Sequence, residues 1–305
     1  MKNFLYIISF LSISFIYGQK SQGDMLRKEG EIDDAIKAYK IDFVSNPTNS
    51  KNTYNLACAL ALTYIKKDSA YYYLNIALEN DYSLWALADN DLISLTDDLR
   101  WRDIEKQQLN KYQEKNGKIK HPKYAIQLLQ LIMKDQALDY QMDLAKTYFM
   151  KNGNVPHWYY PIAQTKQDIA ANNFKKMDSL IMHYGWPTYS TVGKLAADAP
   201  LLIINHHESD AIRIKYLDKI KNACITSEGS CMEYAKIQDR ILVNNNQPQI
   251  YGMQFRYNDQ RVLEPFPIEN PEFVDQRRLK IGLEPLKYYL KRKINYDWNV
   301  IQQEK

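Results

Sequence analysis

The chain has 305 residues, 45% hydrophobic and 25% charged, with a formal net charge of +4. That balance excludes a disordered chain, and the positive charge is spread without a dense basic block, so nothing calls for a nucleic-acid partner. Tyrosine is over-used, with 24 Tyr against 9 Phe, which suits half-wet packing surfaces and contacts to sugars or peptides.

The N-terminus reads as a secretory signal peptide over residues 1–18. Lys2 supplies the charge, an apolar run from Phe4 to Tyr17 is broken only by serines, and Gly18 precedes the polar Gln19-Lys20-Ser21. An uncleaved anchor is the alternative, but the run is shorter than a bilayer-spanning helix. No Cys follows that could carry a lipid. The expectation is an exported protein, periplasmic or extracellular, with no membrane span once the leader is removed. The remainder is long enough for two ordinary domains.

Residues 19–112 carry a self-similar spacing. Gly23, Leu26, Gly30, Ala35, Tyr39 and Pro47 form a first unit; Leu56, Ala57, Leu60, Ala70, Leu74 and Ala77 form a second. Ala35 and Ala70 lie one repeat apart, at a period of about 34–35 residues. Small residues there let two antiparallel helices approach, and Pro47 ends a helix because it lacks an amide donor. These positions resemble the tetratricopeptide repeat family, which implies stacked helical hairpins around a groove for a protein or peptide partner. Asp42 departs from the family's small residue, Tyr82 stands where Pro is common, and the second unit has a one-residue insertion. Two such repeats need a cover, expected from Leu84–Tyr112 through Trp85, Leu92, Leu95, Leu99, Trp101, Ile104 and Leu109. A polar linker follows over 113–122.

The second half, 123–293 with a tail at 294–305, reads as a mostly helical domain. Ala125, Leu128, Leu129, Ile132 and Met133 fall at helical spacing, as do Phe174, Met177, Leu180 and Ile181. The latter helix stops at Gly185, with Pro187 beyond. Pro200–Ile204 reads as a buried helix ending in Asn205-His206-His207-Glu208, and Ser209 or Asp210 caps the next. After Arg240 the pattern turns to alternation. Ile241–Val243 and Gln249–Tyr257 read as strands about an Asn244-Asn245-Asn246 turn, with Arg261–Leu263 as a third strand. Asn270-Pro271-Glu272 opens a further helix. The expected fold class is mainly α: helical hairpins, then an α-helical domain with a small antiparallel β-hairpin or meander.

Across Tyr124–Tyr289, the motifs Gly185-Trp186-Pro187, Val192-Gly193, His206, Tyr234-Ala235, Asp239-Arg240, Gln249-Ile250-Tyr251-Gly252, Gln254, Arg277-Arg278 and Gly282-Leu283 resemble a bacterial domain family of unknown function, number 6624. The resemblance implies a helical domain with a small β element. It implies no activity.

The catalytic candidates are His206, His207, Asp239 and Arg240. Helix-terminal carbonyls favour a protonated imidazole, the Arg240 fork matches carboxylate or phosphate, and Asp239 would orient a histidine. The plainer reading makes Asp239-Arg240 a partly buried ion pair. The ligand-binding candidates are Trp186, a stacking platform or core residue, and Gln249, Tyr251 and Gln254, which a bulge at Gly252 would align on one face. His207–Ala211 starts like a zinc-protease helix but has Ala211 where the second His belongs, so no metal is expected. No phosphate loop, nucleophile elbow or Cys-x-x-Cys occurs, so no cofactor is expected. Cys224 and Cys231 flank a turn-like segment and could close on each other or remain free thiols, whereas Cys58 reads as a buried apolar side chain. Together these features suggest an exported scaffold or interaction protein. The alternative is a periplasmic enzyme or binder of a polar ligand (sugar or peptide), using a cleft of the His, Asp, Arg, Tyr and Gln candidates.

Overall fold

A computed structural model describes residues 21–303; the leader at 1–18 lies outside them. The chain divides into two compact units, Met1–Ala77 and Leu78–Lys305. Its described residues are mainly helical with one two-stranded antiparallel sheet.

The first unit contains α1 (Gln22–Glu29), α2 (Ile32–Ser45), α3 (Ser50–Leu62) and α4 (Lys67–Leu78), the last ending at its border. Ser21 caps α1 by accepting the Asp24 amide, and Asn49 caps α3 by accepting the Asn52 amide. Gly30, at φ +91°, turns the chain sharply from α1 into α2. Ala35, Tyr39, Ala70 and Leu74 have no exposed surface. Gly23 lies flat on the Tyr39 ring, where a methyl group would sit 2.5 Å from a ring carbon. The Tyr39 hydroxyl donates to Asp24 Oδ1 at 2.6 Å, and Asn55 Nδ2 donates to the same oxygen at 3.0 Å. One carboxylate therefore ties α1, α2 and α3 together.

The second unit opens with 3₁₀ turns at Trp85–Leu87 and Asn90–Leu95, which pack on the helix Pro122–Asp135. Leu92, Leu95, Trp101 and Ile104 are buried, but Trp85 (58% exposed) and Leu99 (74% exposed) are not, correcting their expected role as apolar contacts. Then come α5 (Arg100–Asn116), α6 (Pro122–Asp135), α7 (Asp139–Asn152), α8 (Tyr159–Tyr184), the short α9 (Tyr189–Val192) and α10 (Lys194–Ala197), α11 (Ala199–His206), α12 (Asp210–Ile225) and α13 (Cys231–Asn244). Residues 113–116 of the polar stretch thus continue α5, which Gly117 terminates. The apolar face of α6, from Tyr124 to Met133, packs against α8, α10 and α11 and forms the centre of this unit. Helices α12 and α13 form a hairpin closed by the Cys224–Cys231 disulfide. Cys58, in the first unit, is buried.

The C-terminal portion corrects the expected strands. Ile241–Val243 is the last turn of α13, not a strand: the amphipathic pattern of that helix continues through it without a breaker. Asn245 ends the helix and Asn246 takes φ +56°. Within 249–257 only β1 (Phe255–Tyr257) is a strand, and it pairs with β2 (Leu263–Pro265) in the register Phe255↔Pro265, Arg256↔Glu264 and Tyr257↔Leu263. Arg261-Val262 belongs to the connecting turn, with Arg261 at φ +59°. A 3₁₀ turn at Pro271–Phe273 leads into α14 (Val274–Lys280), and α15 (Leu286–Ile294) follows. Their core is Ala235, Met253, Val274, Leu283, Leu286, Tyr289 and Leu290.

Candidate functional site

Helix α13 carries two candidates side by side and sends them to different places. Consecutive residues on a helix point roughly 100° apart. Asp239 faces the 249–254 loop, whereas Arg240 faces the end of α11. The expected Asp239–Arg240 ion pair therefore does not form.

Asp239 is fully buried and serves as a backbone clamp. Its Oδ1 accepts the amides of Ile250 (2.8 Å) and Tyr251 (3.0 Å), and its Oδ2 accepts those of Tyr251 (3.1 Å) and Met253 (2.9 Å). Burial pushes its carboxyl up to about 6, against the downward pull of those amides. Gln249, also fully buried, closes the same loop: Nε2 donates to the carbonyls of Gln254 and Phe266, and Oε1 accepts the Gln254 amide. Gln254 Nε2 reaches the Lys236 carbonyl. Arg277 donates to the carbonyls of Ile250, Glu269 and Asn270. Arg278, with no exposed surface, donates to the carbonyls of Glu284 and Tyr251 and lies 5.0 Å from the Tyr289 ring centre. These groups are engaged in holding backbone, with Arg278 Nη2 left buried and unpaired among the described residues. The reading of 249–254 as a strand displaying Gln249, Tyr251 and Gln254 to a ligand is accordingly replaced by a folded loop. Tyr251 packs edge-on against Tyr234 at 6.0 Å, and Trp186 packs on Tyr216 at 5.8 Å.

The junction of α11, α12 and α13 brings Arg213 and Arg240 onto the backbone of the Asn205–His207 segment. His206 Nδ1 lies 3.0 Å from Asp135 Oδ2, at the end of α6; the Asp135 side chain is 5% exposed and that of His206 51%. A carboxylate opposite Nδ1 holds the proton there and leaves Nε2 as the basic nitrogen. His207 has the opposite arrangement, because its Nδ1 accepts the Ser209 amide at 3.0 Å while its ring packs on Phe174. Arg213, 3% exposed, donates to Asp210 Oδ1 (2.6 Å) and to the carbonyls of Asn205 (3.1 Å) and His207. Arg240 Nη1 donates to the same Asn205 carbonyl at 2.7 Å.

Sequence reasoning passed over Asp135 and Arg213, and took Asn205 only as part of the Asn205–Glu208 helix end. Arg213 left a faint signal, three residues after Asp210 on one helix; Asp135 left none. It also passed over Asp198 and Tyr189. The Tyr189 hydroxyl lies 3.4 Å from Asp198 Oδ1, and burial, then the nearby Glu233, pushes the Asp198 carboxyl up to about 6.

Residues 122–299 match a family described as a family of unknown function (DUF6624). The chain belongs to that family. The match takes in the Asp239 clamp and the His206–Arg240 junction alike. No curated protein and no solved structure matches the chain.

Proposed function

We propose that this member of DUF6624 is exported and acts as a scaffold, its tetratricopeptide-like helices engaging a protein or peptide partner. The observation that carries this reading is a cleft of about 470 Å³ in the first unit, lined by Ser21, Gln22, Asp42, Ser45, Asn46, Asn49 and Asn52. Amides and hydroxyls of this kind hydrogen-bond an extended peptide backbone, and Asp42 favours a neutral or basic one. Support also comes from the repeat equivalents Ala35/Ala70 and Tyr39/Leu74, all fully buried, and from the leader-like N-terminus. A photo-crosslinking residue at Asn52 in the exported protein should capture a defined partner, and N46A with N49A should abolish the adduct. Failure to find an adduct in envelope or medium, or an intact leader on cytosolic protein, would overturn the proposal.

The His206–Asp135 dyad favours a second reading, in which the C-terminal unit is an enzyme. A buried carboxylate behind a half-exposed imidazole is the arrangement of an oriented general base. A screen of ester, phosphoester and glycoside substrates should then yield an activity lost in H206A and reduced in D135N. Activity indifferent to His206 would refute it.

A further inference from the structure

Arg240 is half-buried, and among the described residues only one of its five N–H groups has a protein acceptor, the Asn205 carbonyl. A second guanidinium, that of Arg213, reaches the same oxygen. The carboxylate at hand, Asp210, is already engaged: its Oδ1 takes Arg213 Nη1 at 2.6 Å and Asn244 Nδ2 at 3.1 Å. Two like charges therefore converge on one carbonyl, with a single directly bonded anion between them. Burial acts most strongly against the Arg240 charge and Arg213 next, while Asp210 and Glu233 each favour it from a distance, individually more weakly than Arg213 opposes it. Arg240 remains a cation throughout, since arginine does not deprotonate in proteins.

An independent observation comes from the atoms left over. Asn205 Oδ1 and Arg213 Nε are both buried at this junction and neither has a hydrogen-bond partner. Buried polar atoms are ordinarily satisfied, so an unmatched acceptor and donor beside an under-committed arginine mark a place built for something polar. We propose that Arg240, backed by Arg213, is the receptor for a small oxyanion group, a carboxylate or a phosphate. Its planar fork matches either anion through paired N–H donors. An oxyanion carrying a hydroxyl or a hydration water also supplies the missing partners, an oxygen for Arg213 Nε and a hydrogen for Asn205 Oδ1. This site is independent of the cleft in the first unit and does not need the histidine dyad to be catalytic.

The test is calorimetric titration of the full disulfide-intact chain, at low ionic strength, with inorganic phosphate and with acetate separately. Saturable binding of at least one anion is expected. R240Q should weaken it about tenfold or more, and R240K should weaken it less, because a lysine keeps the charge but loses the fork. K221Q, an exposed α12 position, removes the same charge and should leave affinity unchanged. Saturation by phosphate alone assigns a phosphate ligand, and saturation by acetate alone assigns a carboxylate. No saturation by either anion up to about 50 mM, or equal weakening in R240Q and K221Q, overturns the proposal. Should R240Q fail to fold, undiminished affinity in R240K does the same.

Discussion

Replacing Asp239 by Ala removes the acceptor for three amides at once, those of Ile250, Tyr251 and Met253. A buried donor left unmatched costs roughly 1–3 kcal/mol. Met253 is buried and stays dry, whereas Ile250 and Tyr251 are half-buried and recover part of the loss from water. The sum is about 3–5 kcal/mol, or a fall of about 10 °C in midpoint for a unit of this size. Asn keeps one acceptor oxygen but turns an amide NH₂ toward an N–H, so D239N should cost about half as much. Urea unfolding by near-UV circular dichroism measures both, and hydrogen exchange at Met253 reports the loop itself. A D239A variant within about 0.5 kcal/mol of wild type, with Met253 still protected, would refute the idea that this carboxylate organises the loop.

Asp198 gives a pH dependence of opposite sense to an ordinary salt bridge. Its carboxyl rises from 3.8 to about 6 on folding, so the stability it contributes is full below about pH 4 and lost as pH rises through about 6. D198N should therefore be more stable than wild type at pH 8, by up to about 3 kcal/mol, with the gain vanishing below about pH 4 in parallel thermal melts. Reducing the Cys224–Cys231 bond releases a short loop, costing about 2.5 kcal/mol in the chain-entropy account. Because Glu228 in that loop accepts the amides of Tyr189 and Ser190, those two should exchange faster with reductant present. Gly252 sits at φ +78°, and a methyl group there would meet Leu286 at 2.6 Å. G252A should cost about 2–4 kcal/mol, and calorimetry showing a neutral change would contradict the packing described.

The apolar faces of α6 and α8 were legible because a 3.6-residue period maps directly onto burial: Leu128, Leu129, Met177 and Ile181 all lie inside. So was the cap at Ser209, a local signal. The apolar triplet Ile241–Val243 was misread because three consecutive apolar residues closing a helix look the same as a buried strand. Gln249 and Gln254 looked like display groups, since a sequence does not reveal that an amide will turn inward onto its own loop. Asp135 was invisible for a different reason. Its partner His206 is 71 residues away, and nothing in the local pattern distinguishes that carboxylate from any other at a helix end.

The placement of the cystine at the tip of the α12–α13 hairpin also governs which thiols meet first. Its two sulfurs are seven positions apart, whereas pairing either with Cys58 would close a loop roughly twenty times longer. That difference disfavours the wrong partner by about 2.6 kcal/mol in the unfolded chain. An oxidising medium should thus draw the correct bond shut as the hairpin emerges, leaving Cys58 reduced without help from an isomerase.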